Sequence, residues 1–163
     1  MKNTIKTVLV LLGLLVLSQG SVEAADQSAL LRGHSVELAE EADFRQLRLH
    51  WFLKDKQSPL LGSADDFLVS ADNWQIDWRL LPAIAGLESG YGHHLVSGSF
   101  NAYGWGGGYI YFDNWTESID LVSKGLKQKY YDRGLSTPET IGRVYAPPNP
   151  RWGQLISSIM RSI

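Results

Sequence analysis

Residues 80–108 read LLPAIAGLESGYGHHLVSGSFNAYGWGGG: a run of apolar residues, one glutamate, then a loop crowded with glycines and aromatic rings. This stretch constrains the fold more than any other. Leu80, Leu81, Ile84 and Leu87 recur at helical spacing, and Ala83 and Ala85 keep the segment slim, which predicts a buried helix. Glu88 arrives at its end, where an acid opposes the helix dipole and so invites a functional reason. A carboxyl that leaves an apolar core to face a loop is expected to lose hydration. Desolvation raises its pKa toward the range a general acid needs near neutral pH. Tyr91, Phe100, Tyr103, Trp105, Tyr109 and Tyr111 surround it in sequence. Aromatic faces beside a protonatable carboxyl suit a carbohydrate cleft, because sugar rings stack on aromatic rings.

The runs AIAGLESGYG and SGSFNAYGWGG, with the later Tyr-Ala element of IGRVYAPP and the tryptophan-started helix after it, resemble the lysozyme-like superfamily. The likeness is to its bacterial glucosaminidase-type and lytic-transglycosylase-type peptidoglycan hydrolases, and covers roughly residues 65–163. It implies a mainly α, α+β lysozyme-like domain with at most a small β-hairpin beside the cleft. It also implies cleavage of β-1,4 bonds in the glycan strand of peptidoglycan. Glu88 is then the single acid, and Tyr145 lines the cleft opposite it, orienting substrate or stabilising charge; as a residue of the 141–144 helix, Tyr145 fits the core equally well. Ser97, Asn101, Tyr103, Trp105 and Tyr109 fall in the loop expected to bind substrate. Asn101 suits either of two tasks, turning the chain through its amide or hydrogen-bonding an acetamido group.

Glycosidases generally use a second carboxylate, as nucleophile or as base. Between Glu88 and Asn114 the only acid is Asp113, while Glu117 is expected to serve a helix cap. Lytic transglycosylases manage with one acid, because a substrate hydroxyl attacks in place of water. Three outcomes therefore stay open: a hydrolysed end, an anhydro end, or a non-catalytic glycan-binding or assembly protein that kept the cleft.

The chain begins with a secretory pattern over 1–24: Lys2 and Lys6, the apolar run 7–17, then Val22-Glu23-Ala24. The run is shorter than the ~20 residues that cross a bilayer, so membrane attachment is expected only through an uncleaved signal segment. Removing it leaves 139 residues, the size of one domain, and moves the formal net charge from −2 to −3. That balance speaks against nucleic acid, which needs a basic surface. With no cysteine, an exported protein has to rely on its core. A monomer in the periplasm or cell wall is expected, with no cofactor and no metal. His93 and His94 are adjacent and diverge on regular backbone, which makes a shared ion unfavourable.

Residues 25–59 read as one or two amphipathic helices, with Leu38, Phe44, Leu47 and Trp51 as their stripe, packed on the domain or held out as a partner-binding arm. The catalytic domain is expected over 60–163. Within it, Ser63 is placed at the start of one helix and Asp77 at the start of the central one, with Pro82 bending the latter. Asn114 begins a helix with Ile119, Val122, Leu126 and Tyr130 inward, and Gly134 ends it. Thr137-Pro138 and Asn149-Pro150 start the last two.

Overall fold

The computed structural model describes residues 44–163; the expected signal segment and the rest of 1–43 lie outside the described residues. From Arg45 onward they form one compact unit. Six helices carry it: α1 over 44–55, α2 (Ala64–Trp74), α3 (Leu80–Ser89), α4 (Trp115–Lys129), α5 (Pro138–Tyr145) and α6 (Trp152–Ser162). Among the described residues there is no strand, so the segment after α3 is an irregular loop and not a hairpin. One backbone–backbone bond, Phe112 N–H to Ser99 O at 2.9 Å, ties its two limbs.

Helix α3 is the axis. Leu80, Leu81, Ala83, Ile84 and Ala85 are all buried, so it touches protein on most sides. It starts at Leu80, with Arg79 at the cap position, two residues later than a cap at Asp77 implies. Pro82 therefore sits in the first turn, where its missing N–H costs no intrahelical bond. Asp77 still works at this end. Its Oδ1 accepts the Arg79 N–H at 2.9 Å, and its Oδ2 holds the Arg79 guanidinium at 2.7 Å.

Helix α1 belongs to the same core. Leu49 and Leu53 are sealed and Phe52 is buried, while Leu47 and Trp51 stand more than half exposed. The inward face is thus the neighbouring one to that read from the sequence. Arg45 pairs its two terminal guanidinium nitrogens with the Asp72 carboxylate on α2, and Arg48 Nε donates to the Ile163 carbonyl at 2.8 Å. A boundary at residue 59 therefore cuts through one packed body.

Helices α2 and α4 pack together, as do α5 and α6, and α6 also packs on α3. Caps set most of the boundaries. Asn114 Oδ1 accepts the Glu117 N–H, and Thr137 makes a reciprocal box with Thr140 behind Pro138. The Ser63 side chain makes no capping bond to α2. The inward stripe of α4 is the expected one, with Ile119, Val122 and Leu126 sealed and Tyr130 buried.

Candidate active site

The buried α3 stops because Gly90 takes a left-handed conformation, φ 58°. Ser89 fixes that end to the loop. Its buried hydroxyl lies 3.0 Å from the Ala85 carbonyl and 2.8 Å from the Ala102 carbonyl, and accepts the Gly92 N–H at 2.9 Å. One hydroxyl thus ties the last turn of α3 to two points of the chain that follows.

Glu88 emerges next to this knot. The residue is exposed, not walled in by apolar side chains as the sequence suggests. Its Oε1 accepts the indole N–H of Trp152, from the start of α6, at 2.8 Å. Its Oε2 lies 3.6 Å from where a Cβ on Gly104 would stand. Gly104 has φ 63°, so glycine serves twice there: it takes a backbone conformation that side chains disfavour, and it leaves the carboxylate open on that side.

Aromatic rings form the wall beyond. Tyr145 stacks on Trp152 with centroids 5.0 Å apart, and lies 6.0 Å from Trp105 and 6.1 Å from Tyr130. The Tyr145 hydroxyl donates to the Tyr103 carbonyl, the peptide that leads into Gly104. Burial pushes the Tyr145 phenol well above its usual range, and the negative charge of Glu88 adds to this, so the hydroxyl remains a donor. Trp105 reaches across to α4, where its ring edge fills the space a Cβ on Gly125 would need. A cavity of about 150 Å³ opens beside these rings, lined by the glycines 104, 106 and 107 together with Trp105, Lys129, Tyr130 and Tyr145.

No protein-family model matches the chain, and no curated protein matches it. The site is therefore read from its own geometry.

Of the residues singled out in the sequence, Glu88, Trp105 and Tyr145 come together. Tyr103 contributes its carbonyl alone. Its ring is completely buried and its hydroxyl lies in the core next to Ser118, with burial pushing the phenol far up, so the side chain is not available to substrate. Asn101 is occupied as the loop's internal brace. Its amide nitrogen donates to the Trp105 and Ile110 carbonyls at 2.9 and 3.0 Å, and its oxygen accepts the Trp105 N–H at 2.9 Å. Of its two expected tasks this is the turn-making one. Ser97 is exposed on the approach to the loop, and Tyr109 projects from the loop tip at 88% exposure. His93 Nε2 contacts the Lys56 carbonyl at 3.1 Å, while His94 lies against Gly90, so the two rings diverge.

Trp152 is the main site residue that the sequence did not single out. It reads as one more apolar residue of α6, and it is almost fully buried. Its indole nitrogen is the only polar atom it has, and a buried indole N–H normally finds an acceptor. Asp113 is exposed just before α4, and its N–H donates to Glu117 Oε2 at 2.6 Å, so Glu117 serves that helix end.

Proposed function

We propose that this chain is an exported glycosidase that cleaves the β-1,4 bonds of peptidoglycan glycan strands, with Glu88 as its general acid. The observation that carries the reading is the asymmetry of the Glu88 carboxyl. An N–H donor occupies Oε1, so a proton on this group sits on Oε2. That oxygen faces Gly104, where no side chain blocks a leaving oxygen. The Trp105 and Tyr145 rings, the latter backed by the buried Trp152, supply the apolar face for a pyranose. A sugar lying there displaces water from an otherwise exposed carboxyl, and supplies on binding the desolvation that the free protein lacks.

One further observation bears on the products. Among the described residues, the recorded neighbours of Glu88 are an indole, a phenol and a glycine, with no carboxylate. A nucleophile or base is expected about 5–9.5 Å away in glycosidases that use water. Attack by a hydroxyl of the substrate needs no second carboxylate and leaves an anhydro end, whereas attack by water needs one at that separation. Digestion of purified peptidoglycan followed by mass spectrometry tests both points. Products ending in an anhydro sugar support transglycosylation, a reducing end supports hydrolysis, and intact strands reduce the protein to a glycan binder.

A further inference from the structure

The proposed cleft has a side chamber whose lining departs from that of a neutral sugar site. The cavity of about 150 Å³ shares Gly104 with Glu88: this glycine lines the cavity and also stands closest to Oε2. A group bound at the acid and a group bound in the cavity are thus separated by one residue. A cavity of ~150 Å³ holds a molecule the size of benzene, so it takes a short substituent and not a second sugar ring.

Its charge comes from Lys129, in the last turn of α4. The Lys129 ammonium lies 5.0 Å from the centre of the Trp105 ring and, among the described residues, makes no ion pair. Lys127, two residues earlier, is held by Asp132 at 3.2 Å. The indole face steers the Lys129 stem toward the cavity but satisfies none of its three N–H donors. The remaining lining is glycine backbone and two tyrosine rings. No carboxylate lines the cavity itself; the Glu88 carboxyl stands across Gly104 and opposes an anion only when ionised, and as a general acid it meets substrate protonated.

We propose that this cavity is a subsite for a carboxylate on a short substituent of the glycan strand, selected by Lys129. The inference rests on the glycan reading above and deepens it. The substituent of matching size and charge is the lactyl ether of the muramic sugar with its carboxylate free. In a strand that still carries peptides, this group is an amide and carries no charge for Lys129 to meet. The favoured substrate is therefore a strand stripped of its peptides, and the reaction that supplies it is hydrolysis of the sugar–peptide amide.

Equilibrium binding to the Glu88→Gln protein tests this without turnover. Two ligands are compared: a peptide-free muramic-acid-containing tetrasaccharide, and the same tetrasaccharide with its lactyl carboxylates converted to carboxamides. The carboxylate form should bind about tenfold tighter, the scale of a hydrogen bond to a charged group. Adding Lys129→Gln should erase the ratio, and Lys129→Arg should keep most of it. Lys129 is exposed, so both variants are expected to melt like the parent. Equal binding of the two ligands, an unchanged ratio in Lys129→Gln, or no binding of either overturns the inference. A carboxylate preference in a protein whose wild type cuts no strand upholds the subsite and removes the glycosidase reading. Cleavage without the preference does the reverse.

Discussion

The Trp152 indole and the Glu88 carboxylate are 64 positions apart in the chain and 2.8 Å apart in the fold. A hydrogen bond to a charged group contributes ~1.5–3 kcal/mol, enough to hold one carboxyl rotamer against the others. Trp152→Phe keeps an aromatic ring and deletes that donor. Turnover is expected to fall at least ~10-fold well below the melting temperature. Some stability is lost as well, since Trp152 is among the largest sealed side chains. Full turnover in that variant would remove the indole from the account. Tyr145→Phe probes the neighbouring bond to the Tyr103 carbonyl. Denaturant unfolding should show a loss of about 0.5–1.5 kcal/mol. Turnover should drop roughly tenfold as the peptide before Gly104 loosens, and unchanged turnover would leave the hydroxyl with a purely structural role. At this scale the sequence is informative about chemistry and poor about direction. Glu88 is legible because an acid at the end of an apolar helix is locally unfavourable. Tyr103 and Trp105 look equivalent in a run of aromatics, yet one ring turns into the core and the other toward the cavity. That choice is made by the Asn101 amide bracing the loop and by the gap at Gly125.

Between helices, close approach is bought with missing side chains. A Cβ on Gly153 of α6 would stand 2.5 Å from the Glu139 Cα of α5. Alanine gains ~1 kcal/mol in helix propensity over glycine, whereas overpacking costs ~1–3 kcal/mol, and here the obstacle is backbone that cannot rotate away. Gly153→Ala is therefore expected to lower the melting temperature and, by parting α5 from α6, to weaken the Tyr145–Trp152 stack. A raised melting temperature would contradict this packing. The start of α3 carries a pH dependence. Burial alone raises the Asp77 carboxyl, but the hydrogen bonds and charge of Arg79 outweigh it and hold the group below its usual range. A carboxyl depressed in the folded state stabilises above its unfolded value of ~3.9 and loses that contribution as pH falls through the folded one. Melting temperatures followed downward from neutral pH should thus fall more steeply below about pH 4 in wild type than in Asp77→Asn. Parallel curves would refute the coupling. Helix starts marked by Asn114, and by Thr137 with Pro138, are legible because a cap is a local device. The phase of α1 is not: Leu47 and Trp51 make as good a stripe as Leu49, Phe52 and Leu53, and only the presence of α2 and the chain end decides which turns inward.

Over the whole molecule, a helical fold was readable from apolar periodicity, and the structure is mainly helical over the described residues. The assembly of the site was less readable, since it draws on five places: the end of α3, the loop at 101–107, the end of α4, the end of α5 and the start of α6. Only packing brings them together. With no cysteine to brace it, that convergence depends on the core around α3. This convergence is what we propose makes Glu88 a general acid for glycan cleavage. The most direct measurement compares strand cleavage by wild type and Glu88→Gln, on purified peptidoglycan and at matched melting temperature. Gln is nearly isosteric and has no acidic proton to donate. Wild type is expected to cleave, and the variant to lose about 10²–10⁴-fold, the range attributed to general acid catalysis. Inactive wild type, or a variant keeping more than about a tenth of wild-type cleavage, would contradict it.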